Sequence, residues 1–221
     1  MGIPVDLGIV ELICSRLCHD MVGPIGAATN GIELLREMGS TADPDIIDLT
    51  DTSARTAWRR LEFFRVAFGT AGGRDGWGTN ELSQLAQNML RDGKVRLDWR
   101  AEPDVTAVQG RGAKLVLNLI LLVAEAMARG GVLTVQLSRG DGTLTLSLIG
   151  SGQNAALNPR VASTVTGKVP PGDLDSRVIL AHLAWLQAED AGATIQWRFA
   201  DNMVLADLTL PQPAALAAAA E

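Results

Sequence analysis

Between Gly69 and Asn80 the run GTAGGRDGWGTN marks a change in the rule by which apolar residues recur. Ahead of it they return every three or four positions, the spacing of one helix face. Val10, Ile13, Leu17 and Met21 keep that spacing, and Ile25, Ala28, Ile32 and Leu35 continue it. This predicts one long helix from Val5 to about Met38, bent at Pro24 and closed by Gly39-Ser40. Asp43-Pro44 supplies a cap and a first-turn proline for a second helix reaching about Phe68. Its apolar positions are Ile47, Ala54, Trp58, Leu61 and Phe64 or Phe68. Two helices so closely joined make an antiparallel hairpin, which cannot bury its whole apolar face alone. A homodimer closing a four-helix bundle is therefore expected.

Past the glycines, helical and alternating patterns take turns. Glu81–Arg91 reads as a helix capped by Thr79 or Asn80, Lys94–Arg100 as a strand, and Lys114–Ala128 as a buried helix. Val132–Ser138 and Thr143–Ile149 read as strands around the turn RGDG. Ser151–Pro171 reads as irregular, Asp173–Ala191 as a helix, and Thr194–Phe199 with Met203–Leu210 as a hairpin around Asp201-Asn202. The predicted class is α+β: a helical hairpin over 1–70, a linker over 71–80, and an α/β sandwich on a mostly antiparallel sheet over 81–211. Residues 212–221 read as a disordered tail, and there are no internal repeats.

The 221 residues carry a net charge of −6. That argues against nucleic acid as the main partner, since phosphates demand clustered Lys and Arg. The longest apolar stretch, Leu115–Ala128, is too short to span a bilayer and is interrupted by Asn118 and Glu125. It reads as a core helix, and no membrane partner is expected. Met1–Glu11 has neither a basic start nor a long apolar run, so a cytoplasmic protein is expected. Cys14 and Cys18, four apart in one helical segment, suit neither a disulfide nor a metal site and are expected as buried, reduced thiols.

The chain has two histidines. On a helix, His19 shares its face with Leu12, Ser15, Arg16, Asp20, Val22, Gly23 and Gly26. Most of these are small or polar, so His19 is expected to face solvent with room beside it. An exposed imidazole is a nucleophile near neutral pH, and a neighbouring carboxylate can fix its tautomer. Asp20 is placed for that task, although spacing alone also fits a solvated surface His-Asp pair. His182, in LAHLAWL, reads as structural or merely surface-exposed.

The run His19-Asp20-Met21-Val22-Gly23-Pro24-Ile25 resembles the H-box of two-component sensor kinases, H-[DE]-[LM]-x-x-P-[LI]. The second domain resembles the kinase ATP-binding domain in the order of its elements. The nucleotide-binding residues, however, are missing. Asn118-Leu119-Ile120-Leu121 is followed by Leu122 where kinases carry an asparagine that helps hold Mg²⁺. Leu148-Ile149-Gly150-Ser151-Gly152 lacks the adenine-reading aspartate, and Gly172-Asp173-Leu174-Asp175-Ser176 replaces a glycine-rich loop. The whole chain is similar to the ChpT-type histidine phosphotransferases of alphaproteobacteria, most strongly over Arg16–Pro24, Gly31–Leu35 and Leu117–Arg129.

That resemblance implies a dimeric phosphotransferase without a cofactor of its own. It would accept a phosphoryl group on His19 from the receiver domain of a hybrid histidine kinase and pass it to response-regulator receiver domains. Mg²⁺ is expected on the receiver. Leu12, Arg16, Met21, Gly23, Pro24 and Ile25 are the candidate receiver contacts, with Arg55, Arg59 and Arg60 as weaker ones. Gly23 stands where kinases often carry Thr or Asn to orient a water, which leaves a kinase-type phosphatase activity open. The rival readings are an ATP-dependent histidine kinase and a non-catalytic receiver-binding scaffold.

Overall fold

A computed structural model describes residues 6–41, 43–73, 76–167 and 169–211. Helix α1 spans Leu7–Met38 and runs without interruption through Pro24. The Asp6 carboxylate caps it by accepting the Gly8 N–H, and Gly39, with φ at 56°, ends it. The predicted start at Val5 lies outside the described residues. Helix α2 spans Pro44–Ala67 and is capped by Asp43, as the Asp-Pro pair foretold. The helices run antiparallel, because Asp20 meets Arg60 while Gly31 meets Thr50. Gly31 sets the closeness of that crossing, since a Cβ there would stand 2.0 Å from Thr50 Oγ1.

The stretch read as a linker is more than a linker. Gly72 is buried, and a Cβ on it would meet the Val66 carbonyl at 2.1 Å. Strand β1, Trp77–Gly78, then pairs antiparallel with β3, Ala107–Val108. Helix α3 spans Thr79–Leu90, so the expected caps Thr79 and Asn80 lie inside it. The Glu81 carboxylate instead reaches back to the Gly78 N–H at 3.0 Å.

The sheet contains β2 (Val95–Ala101), β4 (Gly131–Gly140), β5 (Thr143–Ser151), β6 (Thr194–Ala200) and β7 (Met203–Pro211). Its order is β2-β4-β5-β7-β6, with β2 and β4 parallel and the other pairs antiparallel. Helices α4 (Gly110–Glu125) and α6 (Ile179–Ala191) accompany it, with α5 (Pro159–Val165) packed against α6. Helix α5 falls where an irregular segment was expected. Asn158 accepts the Arg160 N–H and Pro159 takes the first turn, which is enough to start it. Helix α6 starts six residues later than expected, because Asp175 Oδ1 takes the N–H groups of Arg177 and Val178 in a turn.

One core serves both parts of the chain. Leu133, Val135, Leu146, Leu148, Ala206 and Leu208 from the sheet are buried in it with most of α4. Phe63, Phe64, Val66 and Ala67 at the end of α2 belong to the same cluster. Gln187 on α6 adds a hydrogen bond to the Ala67 carbonyl at 3.0 Å. The α+β class is therefore as expected, and hairpin and sandwich share one core cluster.

Cys14 and Cys18 are exposed, not buried. They lie on a stripe of α1, continued by Ile25 and Ile32, that α2 leaves uncovered; those two isoleucines are about half exposed. Among the described residues, no group of three potential ligands could hold a metal ion, and no helix is long and apolar enough to cross a membrane. Gly31→Ala should destabilise the chain by about 1–3 kcal/mol in urea unfolding, the usual cost of overpacking. Adding Thr50→Ala should recover part of that loss.

Candidate functional site

His19 projects from the middle of α1 with its side chain 85% exposed. Its Nδ1 lies 3.2 Å from Asp20 Oδ1. Asp20 is far less free, at 22% exposure, because two arginines hold it in addition to His19. Arg16, one turn earlier, donates from Nε to Asp20 Oδ2 at 2.9 Å. The other arm of the same guanidinium donates from Nη2 to Glu125, the last residue of α4. The second arginine is Arg60 of α2, which donates to the Asp20 backbone carbonyl.

Pro24 explains that last contact. A proline has no N–H, so the carbonyl four residues earlier loses its helical partner. That carbonyl belongs to Asp20, and Arg60 supplies the missing donor from the neighbouring helix. The H-box proline thus opens a position that ties the two helices together beside His19.

The predicted contact residues divide into two groups. Gly23 and Ile25 are exposed, Pro24 is half-buried, and a Cβ on Gly23 would meet nothing within 4 Å. Leu12 and Met21 pack against the chain's own core, so the structure gives them an internal role. Arg16 is committed to Asp20 and Glu125. Arg59 donates to Thr56 and Asp92, and Arg60 to the Asp20 carbonyl. Arg55 is exposed and pairs with Asp51 on its own helix. Val22, 68% exposed one turn from His19, was placed on the His19 face in sequence but not among the candidate contacts.

Glu125 was also passed over as a site residue, although its signal was legible as one of two polar residues interrupting the apolar run Leu115–Ala128. Its side chain keeps 41% of its area exposed, yet partial desolvation raises its carboxyl pKa from the ordinary value, against the opposing pull of the Arg16 guanidinium. The bridge between Arg16 and Glu125 stands between two clefts. One, of about 370 Å³, is lined by Asp20, Arg59, Arg60, Asp92 and Lys94 among others. The other, of about 430 Å³, is lined by Leu122, Leu157, Arg160, Val161, Arg177 and Val178.

The motif positions of the second domain serve packing. Asn118 is fully buried and donates to the Leu180 carbonyl at 3.0 Å and to Gln187 at 3.1 Å, binding α4 to α6. Leu122 is buried. Gly150 lets α4 close on the sheet, since a Cβ there would sit 2.5 Å from Val123 Cγ1. His182 is buried and stacks on Trp185 with ring centroids 5.7 Å apart, and burial lowers its pKa from the ordinary value. The structural reading of this histidine holds.

Residues 79–203 match the family model for the histidine phosphotransferase C-terminal domain. The protein phosphotransferase ChpT of Brucella abortus (strain 2308) is 34% identical over 199 residues, covering 88% of this chain and 93% of its own. A solved structure of a bacterial phosphotransferase is 31% identical with a TM-score of 0.81, covering 94% of this chain and 99% of that one. Arg60→Met should remove the donor to the Asp20 carbonyl. Chemical unfolding should then show a loss of about 1.5–3 kcal/mol, the range for a hydrogen bond to a charged group.

Proposed function

The chain belongs to the histidine phosphotransferase family and serves a phosphorelay; from that premise we propose that His19 carries the phosphoryl group. The observation that supports this most is an 85% exposed imidazole whose Nδ1 faces an anchored carboxylate at 3.2 Å. With the ring proton on Nδ1 and its hydrogen bond accepted by Asp20, the lone pair rests on Nε2, which points away from the carboxylate. Nε2 attacks the phosphorus of a receiver's aspartyl phosphate. The N–P bond forms, the P–O bond breaks, and the receiver's carboxylate leaves with the electron pair. The ring keeps its Nδ1 proton and becomes cationic, and Asp20 stabilises that charge. Transfer to a second receiver is the same step reversed.

Such a reaction has a loose transition state and depends on alignment and charge neutralisation. The receiver brings its own Mg²⁺, and this chain brings an aligned imidazole and a docking surface. Val22, Gly23 and Ile25 beside His19 form the exposed part of that surface, with Pro24 at its edge. Donor and acceptors are the receiver of a hybrid histidine kinase and the receivers of response regulators, meeting in the cytoplasm. An ATP-dependent step is not part of the reading. It is disfavoured by a buried leucine at position 122, where Mg²⁺ would need an oxygen ligand, and by Asn118 being consumed in packing.

The hairpin is proposed to pair with a second copy. Ile32 on α1 and Ile47, Trp58 and Leu61 on α2 are each about half exposed or more. Four such side chains on adjacent helices make an apolar face large enough to favour a partner. Sedimentation should give a dimer for the wild-type chain and a monomer for Trp58→Glu with Leu61→Glu. A wild-type monomer contradicts the bundle.

Phosphoryl transfer is tested with radiolabel. A phosphorylated receiver should label the wild-type protein and fail to label His19→Ala, while labelled ATP alone should label neither. Label from ATP alone makes the protein a kinase. Receiver binding without any labelling makes it a scaffold.

A further inference from the structure

Glu125 sits where local physics disfavours it. It is the last residue of α4, at the negative end of the helix dipole, where an anion is destabilised. The helix it closes has twelve buried residues. Neighbouring groups partly desolvate its carboxyl, although the side chain keeps 41% of its area exposed. A carboxylate at the disfavoured end of a helix, engaged by an arginine from another helix, points to a role beyond its own element.

That arginine is Arg16. Its planar guanidinium offers donors in fixed directions, so two acceptors bound at once fix its orientation. Nη2 is held by Glu125 and Nε by Asp20 Oδ2. Asp20 Oδ1 is then the oxygen left for His19 Nδ1. The chain of contacts runs from the second domain to the imidazole in three links, each using a different atom. Without Glu125, one arm of Arg16 is released, and the carboxylate of Asp20 can turn about its own bonds.

We infer that Glu125 is a positioning residue for phosphotransfer, acting through Arg16 and Asp20 to hold the His19 ring with its lone pair on Nε2. The second domain, in this account, contributes to the reaction by orienting the phosphoacceptor rather than by binding a nucleotide. The inference rests on His19 being the acceptor, yet its main test does not.

The test uses the full chain with ¹⁵N-labelled histidine, at a pH well above the ordinary histidine pKa. Only two histidines contribute, and His182, buried against Trp185, reports whether the fold is intact. In the wild-type protein the His19 ring should show a protonated Nδ1 and an unprotonated Nε2. Glu125→Gln and Arg16→Lys should both shift these signals toward those of Asp20→Asn, with the His182 signals unmoved. Glu125→Asp should stay nearer the wild-type signals. Phosphoryl acceptance from a labelled receiver should slow about 10-fold in Glu125→Gln, the scale of a modest misalignment. If Asp20→Asn moves the His19 signals and Glu125→Gln does not, the inference is overturned. If neither moves them, the link through Asp20 falls with it. If His19→Ala still accepts label, the acceptor assignment fails on its own, and the ring signals still decide whether Glu125 orients His19.

Discussion

The chain is arranged around the burial of one helix. Twelve residues of α4 are buried, and it packs against α6, against the sheet at β5 and β7, and against the end of α2. Removing that much apolar surface from water is the largest favourable term available to a domain of this size. It also decides the geometry of the site. Phe63, Phe64, Val66 and Ala67 enter the same core, which brings the helical hairpin close enough for Arg16 to reach Glu125. The ion pair is a consequence of the packing, and the anchored carboxylate beside His19 follows from the ion pair.

Motif residues acquire physical meanings that a pattern match does not give them. The H-box proline matters here because it frees a carbonyl, and a partner helix uses that carbonyl through Arg60. Asn118 and Gly150, which stand at motif positions, serve packing in this structure. The arginines of α2 look interchangeable in sequence but are used differently: Arg55 pairs with Asp51 at the surface, Arg59 with Asp92, and Arg60 with the α1 backbone.

Much of the fold was legible because its signals are strong and local. Asp43-Pro44 announces α2, and strict alternation announces β5 and β7. Strands β1 and β3 were not, since two residues each carry no periodicity. Helix α5 carries a proper cap in Asn158-Pro159, but the glycines and prolines around it hid the signal. The exposed state of Cys14 and Cys18 was misread because an apolar stripe in sequence does not say which partner covers it. In the site, the pairing of His19 with Asp20 was readable from their adjacency. The ties from Arg60 and Glu125 span forty and more than a hundred residues, and only the folded chain brings them together.

The central claim is that the phosphoryl group rests on one atom of one residue. The most direct measurement is ³¹P spectroscopy with peptide mapping of the intact protein after donation from a phosphorylated receiver. The account predicts a single acid-labile phosphoramidate on His19, with phosphorus bonded to Nε2. Phosphate on His182, on either cysteine or on Asp20, or phosphorus on Nδ1 of His19, would contradict it.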